Sequence, residues 1–266
     1  MRLLRWIAPV VLAAGWIALP AAAHNPNALW QIVHGRCVPA AKAGDGTGPC
    51  ARVDRRDGYA LLKDRVGPLQ YLLIPTIRVS GIESPALLEP HAPPYLAEAW
   101  HDRHIMAKRF GHPIADDDIM LALNSPHGRT QNQLHIHISC IAPDVKRALA
   151  NMASDIGADW TPLPRPLAGH RYIARRVTLT ALQRSGAARL LARHDDADEH
   201  MGDYGLVGDY GLALTRVDGA GLVLLATRVH RLAGNFASPE ELESHACHVL
   251  PGIAEFHAPA APQANE

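Results

Sequence analysis

The chain lacks an excess of charge of either sign. Lys plus Arg and Asp plus Glu both total 26 among its 266 residues. Without a basic surplus it does not read as a nucleic-acid binder. It has only four cysteines, and none of them forms a Cys-x-x-Cys pair. There is no His-Glu-x-x-His either, and no third ligand stands at a recognisable spacing from the histidine pair at 135 and 137. A site-building metal normally takes three or four ligands, so neither metal nor cofactor is expected from these patterns. What remains is an ordinary globular composition, 48% hydrophobic and 20% charged. That is long enough to form a sizeable core without special staples.

The N-terminus reads as a targeting segment. "MRLLR" is basic, "WIAPVVLAAGWIALP" is apolar, and "AAAH" carries small residues where a signal peptidase would cut, after Ala23. The 18 residues from Trp6 to Ala23 carry no charge, so an uncleaved anchor is the other reading. Either way Arg2 and Arg5 stay inside and the body is exported. The location is then the inner membrane, with the body periplasmic, or the periplasm itself. An even cysteine count in that compartment favours disulfides. Of the three possible pairings, Cys37 with Cys50 across the Gly-rich "VPAAKAGDGTGP" is favoured, which leaves Cys140 with Cys247.

Along the chain, 27–39 has helical spacing with Asn27 as a candidate cap. "YALLKD" and "QYLLIP" read as a β-hairpin turning at Gly67-Pro68, ended by Pro75. A helix is expected from about Pro94 to Phe110, stopped by Gly111, and others over 144–156, over "TLTALQRSGAARLLARH" and over "SPEELESHAC". "DIMLALNS" and "QLHIHISC" read as strands joined by the polar loop "SPHGRTQN". "GDYGLVGDYGLALTRV" holds a short tandem copy, and "GLALTRV" with "GLVLLATR" forms a second hairpin. Mixed elements with hairpins imply an α+β fold. A targeting segment over 1–23, one domain over 27–250 and a disordered tail over 258–266 complete the organisation.

The chemistry concentrates in "TQNQLHIHISC". On a strand, Gln133, His135, His137 and Ser139 share one face, while Leu134, Ile136 and Ile138 take the other. Two paired histidines can bind metal, can be packed structural groups, or can do phosphate chemistry. A neutral imidazole attacks phosphorus and holds it as a phosphoramidate, and short polar groups nearby stabilise the developing charge. "NSPHGRTQNQLHIHI" supplies all of these.

These residues resemble the histidine-triad (HIT) signature, H-φ-H-φ-H-φ-φ with φ apolar. "KDRVGPLQYLLIPTIRVSGIESP", "LNSPHGRTQNQLHIHISC" and "DEHMGDYGLVGDYGLAL" are more closely similar to the bacterial CDP-diacylglycerol pyrophosphatases. The similarity spans about Leu29 to Cys247, with the four cysteines where that family has them. It implies a HIT-like antiparallel sheet with flanking helices, extended by a C-terminal α/β segment. It also implies hydrolysis of CDP-diacylglycerol at the membrane surface to CMP and phosphatidate, in phospholipid metabolism.

By the same resemblance His135 is the nucleophile and His137 its phosphate-side partner. Thr130 and Gln131 hold the leaving and non-bridging oxygens. Gln133 stands in the place of the first histidine of the triad, a departure from the pattern. Shifting the register to make His137 the nucleophile fits the upstream residues less well. Asn124 and Arg78 are expected to contact substrate. Lys63 and Arg129 read better as ordinary exposed charges. The alternatives are a broader periplasmic nucleotide pyrophosphatase and a nucleotide- or metal-binding protein without turnover.

Overall fold

The computed structural model describes residues 25–195 and 208–256. The expected targeting segment, the tail over 258–266 and the first GDYGLV copy lie outside the described residues. Chain order begins with α1 (Ala28–Ile32), a π turn (Val33–Cys37) and α2 (Val38–Ala43), which run on as one helical stretch. Pro39, with no N–H to offer Gly35, follows the π turn. Strands β1 (Arg52–Asp54), β2 (Tyr59–Lys63) and β3 (Tyr71–Pro75) come next, then α3 (Tyr95–Asp102) and α4 (Ile105–Phe110). After β4 (Ile119–Leu123) and β5 (Ile136–Ile141) come α5 (Pro143–Asn151), β6 (Thr161–Pro162) and β7 (Ile173–Arg176). The rest is α6 (Leu179–Ser185), α7 (Ala187–Asp195), β8 (Tyr210–Val217), β9 (Gly221–Arg228) and β10 (Glu243–Ser244).

All the strand pairings are antiparallel, in the order β1-β2-β3-β5-β4-β8-β9-β7-β6, with β10 added on β5. The fold is therefore α+β, as the hairpins implied. Both expected hairpins form, β2–β3 around Gly67 and β8–β9 around Gly219. Gly67 has φ +66°, and a Cβ there would lie 2.3 Å from the His245 carbonyl oxygen, so the turn abuts the C-terminal segment.

β3, β4 and β5 are buried on both faces, which explains their near-continuous apolar runs. One face carries Leu73, Leu121, Ile136, Ile138 and Leu214 under Tyr95, Leu96, Trp100, Met106 and Leu191. The opposite face has two separate apolar patches. Ala60, Leu72 and Ile74 pack on Val33 and Cys37 from the first helical stretch. Met120, Ile141, Ala213 and Leu225 pack on Val145 and Leu149 of α5. Between those two covers the sheet presents Gln70, Asn124, His137 and Ser139, all buried.

Several expected elements differ. Asn27 makes no cap hydrogen bond; its side-chain oxygen accepts instead from Arg78. The helix expected over 94–110 breaks after Asp102, where the Arg103 guanidinium binds the Trp100 carbonyl and Asp116. Gly186, at φ +67°, divides the helix read over 178–194. "SPEELESHAC" is a 3-10 turn (Pro239–Leu242) followed by β10, with no cap from Ser238. Local helix signals there lose to pairing with β5 and to the Cys140–Cys247 bridge. Both favoured disulfides form, Cys37–Cys50 and Cys140–Cys247.

Candidate active site

The register of β5 fixes which side chains share the uncovered face. His137 lies opposite Leu72 and Ala122, and Ser139 opposite Met120. Glu243 lies opposite Ile141, two residues beyond Ser139. Directly opposed residues of an antiparallel pair point the same way. So His137, Ser139 and Glu243 face one side together, even though β10 lies over 100 residues further along the chain. His135 directly precedes β5 and continues its alternation; the His135 and His137 ring centroids are 5.1 Å apart.

His135 is held by its own backbone neighbourhood. Its Nδ1 lies 2.8 Å from the Gln133 carbonyl oxygen. A carbonyl only accepts, so Nδ1 carries the proton and Nε2 presents a lone pair. Burial, with His137 as the next cause, lowers His135 to about 4, which keeps the ring neutral at pH 7. His137 is likewise lowered to about 4, first by burial and also by His245. Gln70 organises this second histidine. Its Nε2 donates to His137 Nδ1 at 3.0 Å and to Asp64 Oδ2 at 2.6 Å, while its Oε1 lies 2.5 Å from His245 Nδ1.

The C-terminal segment completes the site. Glu240 takes Asn124 Nδ2 on Oε2 at 2.9 Å and returns its amide to Asn124 Oδ1. Its Oε1 is 3.6 Å from His137 Nδ1 and 3.5 Å from His245 Nε2. Glu241 is tied away by Tyr172 and His170. Glu243 is buried with both carboxylate oxygens unpartnered, and burial beside Glu240 and Asp64 pushes its carboxyl well above the ordinary range. His137, Glu240 and Glu243 each offer one ligand-type atom, all within 4.8 Å of one another.

The residues named from the sequence are thus placed unequally. His135, His137 and Asn124 come together. Gln133 gives its carbonyl to His135, but its side-chain amide braces the chain after β3, donating to the Pro75 and Ile77 carbonyls. Gln131 is bound by the N-terminal segment, accepting from the Leu29 amide and donating to the Asn25 carbonyl. Arg78 lies over the Trp30 ring and bonds Asn27. Thr130 is exposed on the loop before β5. Arg129 is no free surface charge; it makes a two-pronged pair with Glu83. Lys63 donates to the backbone of Asp64 and Gly67, and burial lowers it to about 8.

Sequence reading passed over Gln70, Asp64, Glu240, Glu243 and His245. The available signal was the spacing Glu-x-x-Glu-x-His over 240–245, hidden by its helical look.

The chain is similar in sequence to known proteins over nearly its whole length. A CDP-diacylglycerol pyrophosphatase from Yersinia pestis is 48% identical over 244 residues, 92% of each chain. A DUF4931 family protein from Bacillus cereus is a structural neighbour with TM-score 0.43 and 12% identity, covering 69% of this chain and 88% of that one. The model of the CDP-diacylglycerol pyrophosphatase family matches residues 24–251, and the chain belongs to that family.

Proposed function

We propose that this chain hydrolyses the pyrophosphate bond of CDP-diacylglycerol, giving CMP and phosphatidate, through a nucleotidyl intermediate on His135. One observation carries the mechanism: the bond from His135 Nδ1 to the Gln133 carbonyl two residues earlier. It leaves Nε2 with the lone pair that a nucleophile needs, which supports the reading in which His135, not His137, attacks.

Nε2 forms a bond to the phosphorus of the CMP half while the bridging P–O bond breaks, and phosphatidate leaves with that electron pair. The ring then carries a positive charge, which the Gln133 carbonyl stabilises through Nδ1–H. Water next attacks the same phosphorus, the N–P bond breaks, its electrons return to Nε2, and the water's proton is released with CMP. His137, its ring centroid 5.1 Å from that of His135, is read as the partner that binds the phosphate. Thr130 and Gln131, on the loop before β5, are read from the family resemblance as holding the leaving and non-bridging oxygens.

Export is supported by two disulfides among the described residues. The membrane-surface reading is supported by the seating of the N-terminal segment. Asn132 N donates to the Pro26 carbonyl at 2.6 Å, so a chain anchored just before Asn25 would bring this loop to the lipid headgroups. No helix among the described residues is long and apolar enough to cross a membrane.

Trapping tests the proposal. Quenching in alkaline denaturant, in which a histidine phosphoramidate survives, with substrate labelled in the CMP phosphate is expected to leave label on the peptide containing His135. His135→Ala is expected to keep its fold and lose hydrolysis by about 10⁴-fold or more, the scale seen when a covalent nucleophile is removed. Label on His137 instead, or turnover retained in the variant, would overturn the assignment.

A further inference from the structure

Four buried polar atoms around the β5 face make no hydrogen bond: His137 Nε2, Ser139 Oγ and both carboxylate oxygens of Glu243. Buried groups of this kind are nearly always satisfied, and a buried unpaired carboxylate is among the costliest to leave so. Their positions are not independent. The β5–β10 pairing aims Glu243 and Ser139 to the face that carries His137. Glu240, braced from Asn124, brings a second carboxylate into the same space. Three ligand-type atoms then converge within 4.8 Å.

We propose that Glu240, Glu243 and the His137 ring bind one divalent transition-metal ion, with zinc the best match. One imidazole and two carboxylates make a borderline donor set that suits zinc, whereas magnesium and calcium favour all-oxygen sites. Three protein ligands leave a zinc coordination position for an exogenous oxygen. Asn124 holds Glu240 from behind, as outer-shell partners of metal sites do; ligation through the His137 ring requires the Gln70 amide to give up its bond to Nδ1, which otherwise leaves the ring proton on Nε2.

Asp64, Glu240 and Glu243 place carboxylates beside the histidines expected to face a pyrophosphate. Carboxylates facing a polyanion repel it, and a cation between them reverses the sign of the interaction. His137 then acts on the phosphate side by holding that cation. This electrostatic step rests on the proposed substrate; the unpartnered buried atoms do not.

Zinc binding is measured directly, without turnover, so failure of the hydrolysis assay leaves this test intact. The full chain is stripped with chelator, dialysed, and titrated with zinc chloride by calorimetry, with bound metal counted by elemental analysis. Wild type is expected to bind one zinc per chain. Glu243→Gln and Glu240→Gln are each expected to weaken binding by about 100-fold or more, beyond the 10–100-fold typical of outer-shell changes. His248→Ala, outside the cluster, is expected to bind as wild type does. Cobalt substitution guards against misfolded variants: the wild-type protein should show a ligand-field absorption with cobalt(II) that a folded Glu243→Gln lacks. Absence of binding by wild type, or equal affinity in all the variants, would overturn the proposal.

Discussion

Gln133 shows how one residue can carry two jobs, one by its backbone and one by its side chain, that a sequence motif merges. The pattern places it where a triad histidine stands. Its backbone carbonyl does the orienting work, accepting from His135, and any residue supplies a carbonyl. Its side chain does something a histidine does less well: the amide donates two protons to the Pro75 and Ile77 carbonyls while its oxygen faces the Val79 amide. Gln133→Ala is therefore expected to lower stability by about 1–3 kcal/mol, the cost of buried groups left unbonded. Its KM is expected to stay near that of wild type. Denaturant melts and steady-state kinetics separate the cases: unchanged stability with a raised KM would make Gln133 a substrate contact after all. The paired histidines were legible because a strand's two-residue period is visible in one line of sequence. Gln70 and Glu243 were not, because their partners come through pairing of distant strands, and no local period records which strands pair.

At the scale of elements, the loop from β4 to β5 is the part that must hold still, and Arg129 pins it. Its guanidinium makes two bonds to Glu83, at 2.6 and 2.8 Å, and a third to the Gln131 carbonyl. Burial alone would raise the Glu83 carboxyl, but its bonds to Arg129 and Ser80 outweigh that and hold it below the ordinary range. A carboxyl lowered in the folded state adds stability that is present in full above its unfolded value of about 4.3 and is lost as pH falls through the folded value. Glu83→Gln is expected to cost about 1–3 kcal/mol near pH 7. That difference from wild type should shrink steadily below about pH 4.3. Thermal melts across that range check it; a gap that stayed constant with pH would mean that the pair contributes by packing alone. Sequence alone set Arg129 among the exposed charges, since its partner lies 46 residues away. The same blindness affected "SPEELESHAC": capping and composition favoured a helix, but the free edge of β5 and the Cys140–Cys247 bridge claim the segment.

For the molecule as a whole, the question is how an enzyme with this sheet would meet the proposed lipid substrate in a bilayer. The site lies on the sheet face left between two helical covers, and the chain enters that region from its N-terminal side. Asn25 and Pro26 bond the loop before β5, and Trp30 sits beneath Arg78. An anchor ending at residue 23 would therefore tether the protein at its active face. Tethering raises the local concentration of a membrane-held substrate without any new contact, by factors on the order of 10²–10⁴. A full-length chain reconstituted in vesicles is expected to outpace a chain lacking residues 1–23 by about 10²-fold on long-chain CDP-diacylglycerol in the same vesicles. On a short-chain, water-soluble CDP-diacylglycerol the two should match, because nothing in the β5 face or its C-terminal partners has changed. A fall on both substrates would mean that the N-terminal segment builds the site itself, through Gln131 and Arg78. Equal rates on both would mean that the leader is cut after Ala23 and that the protein meets its lipid from solution.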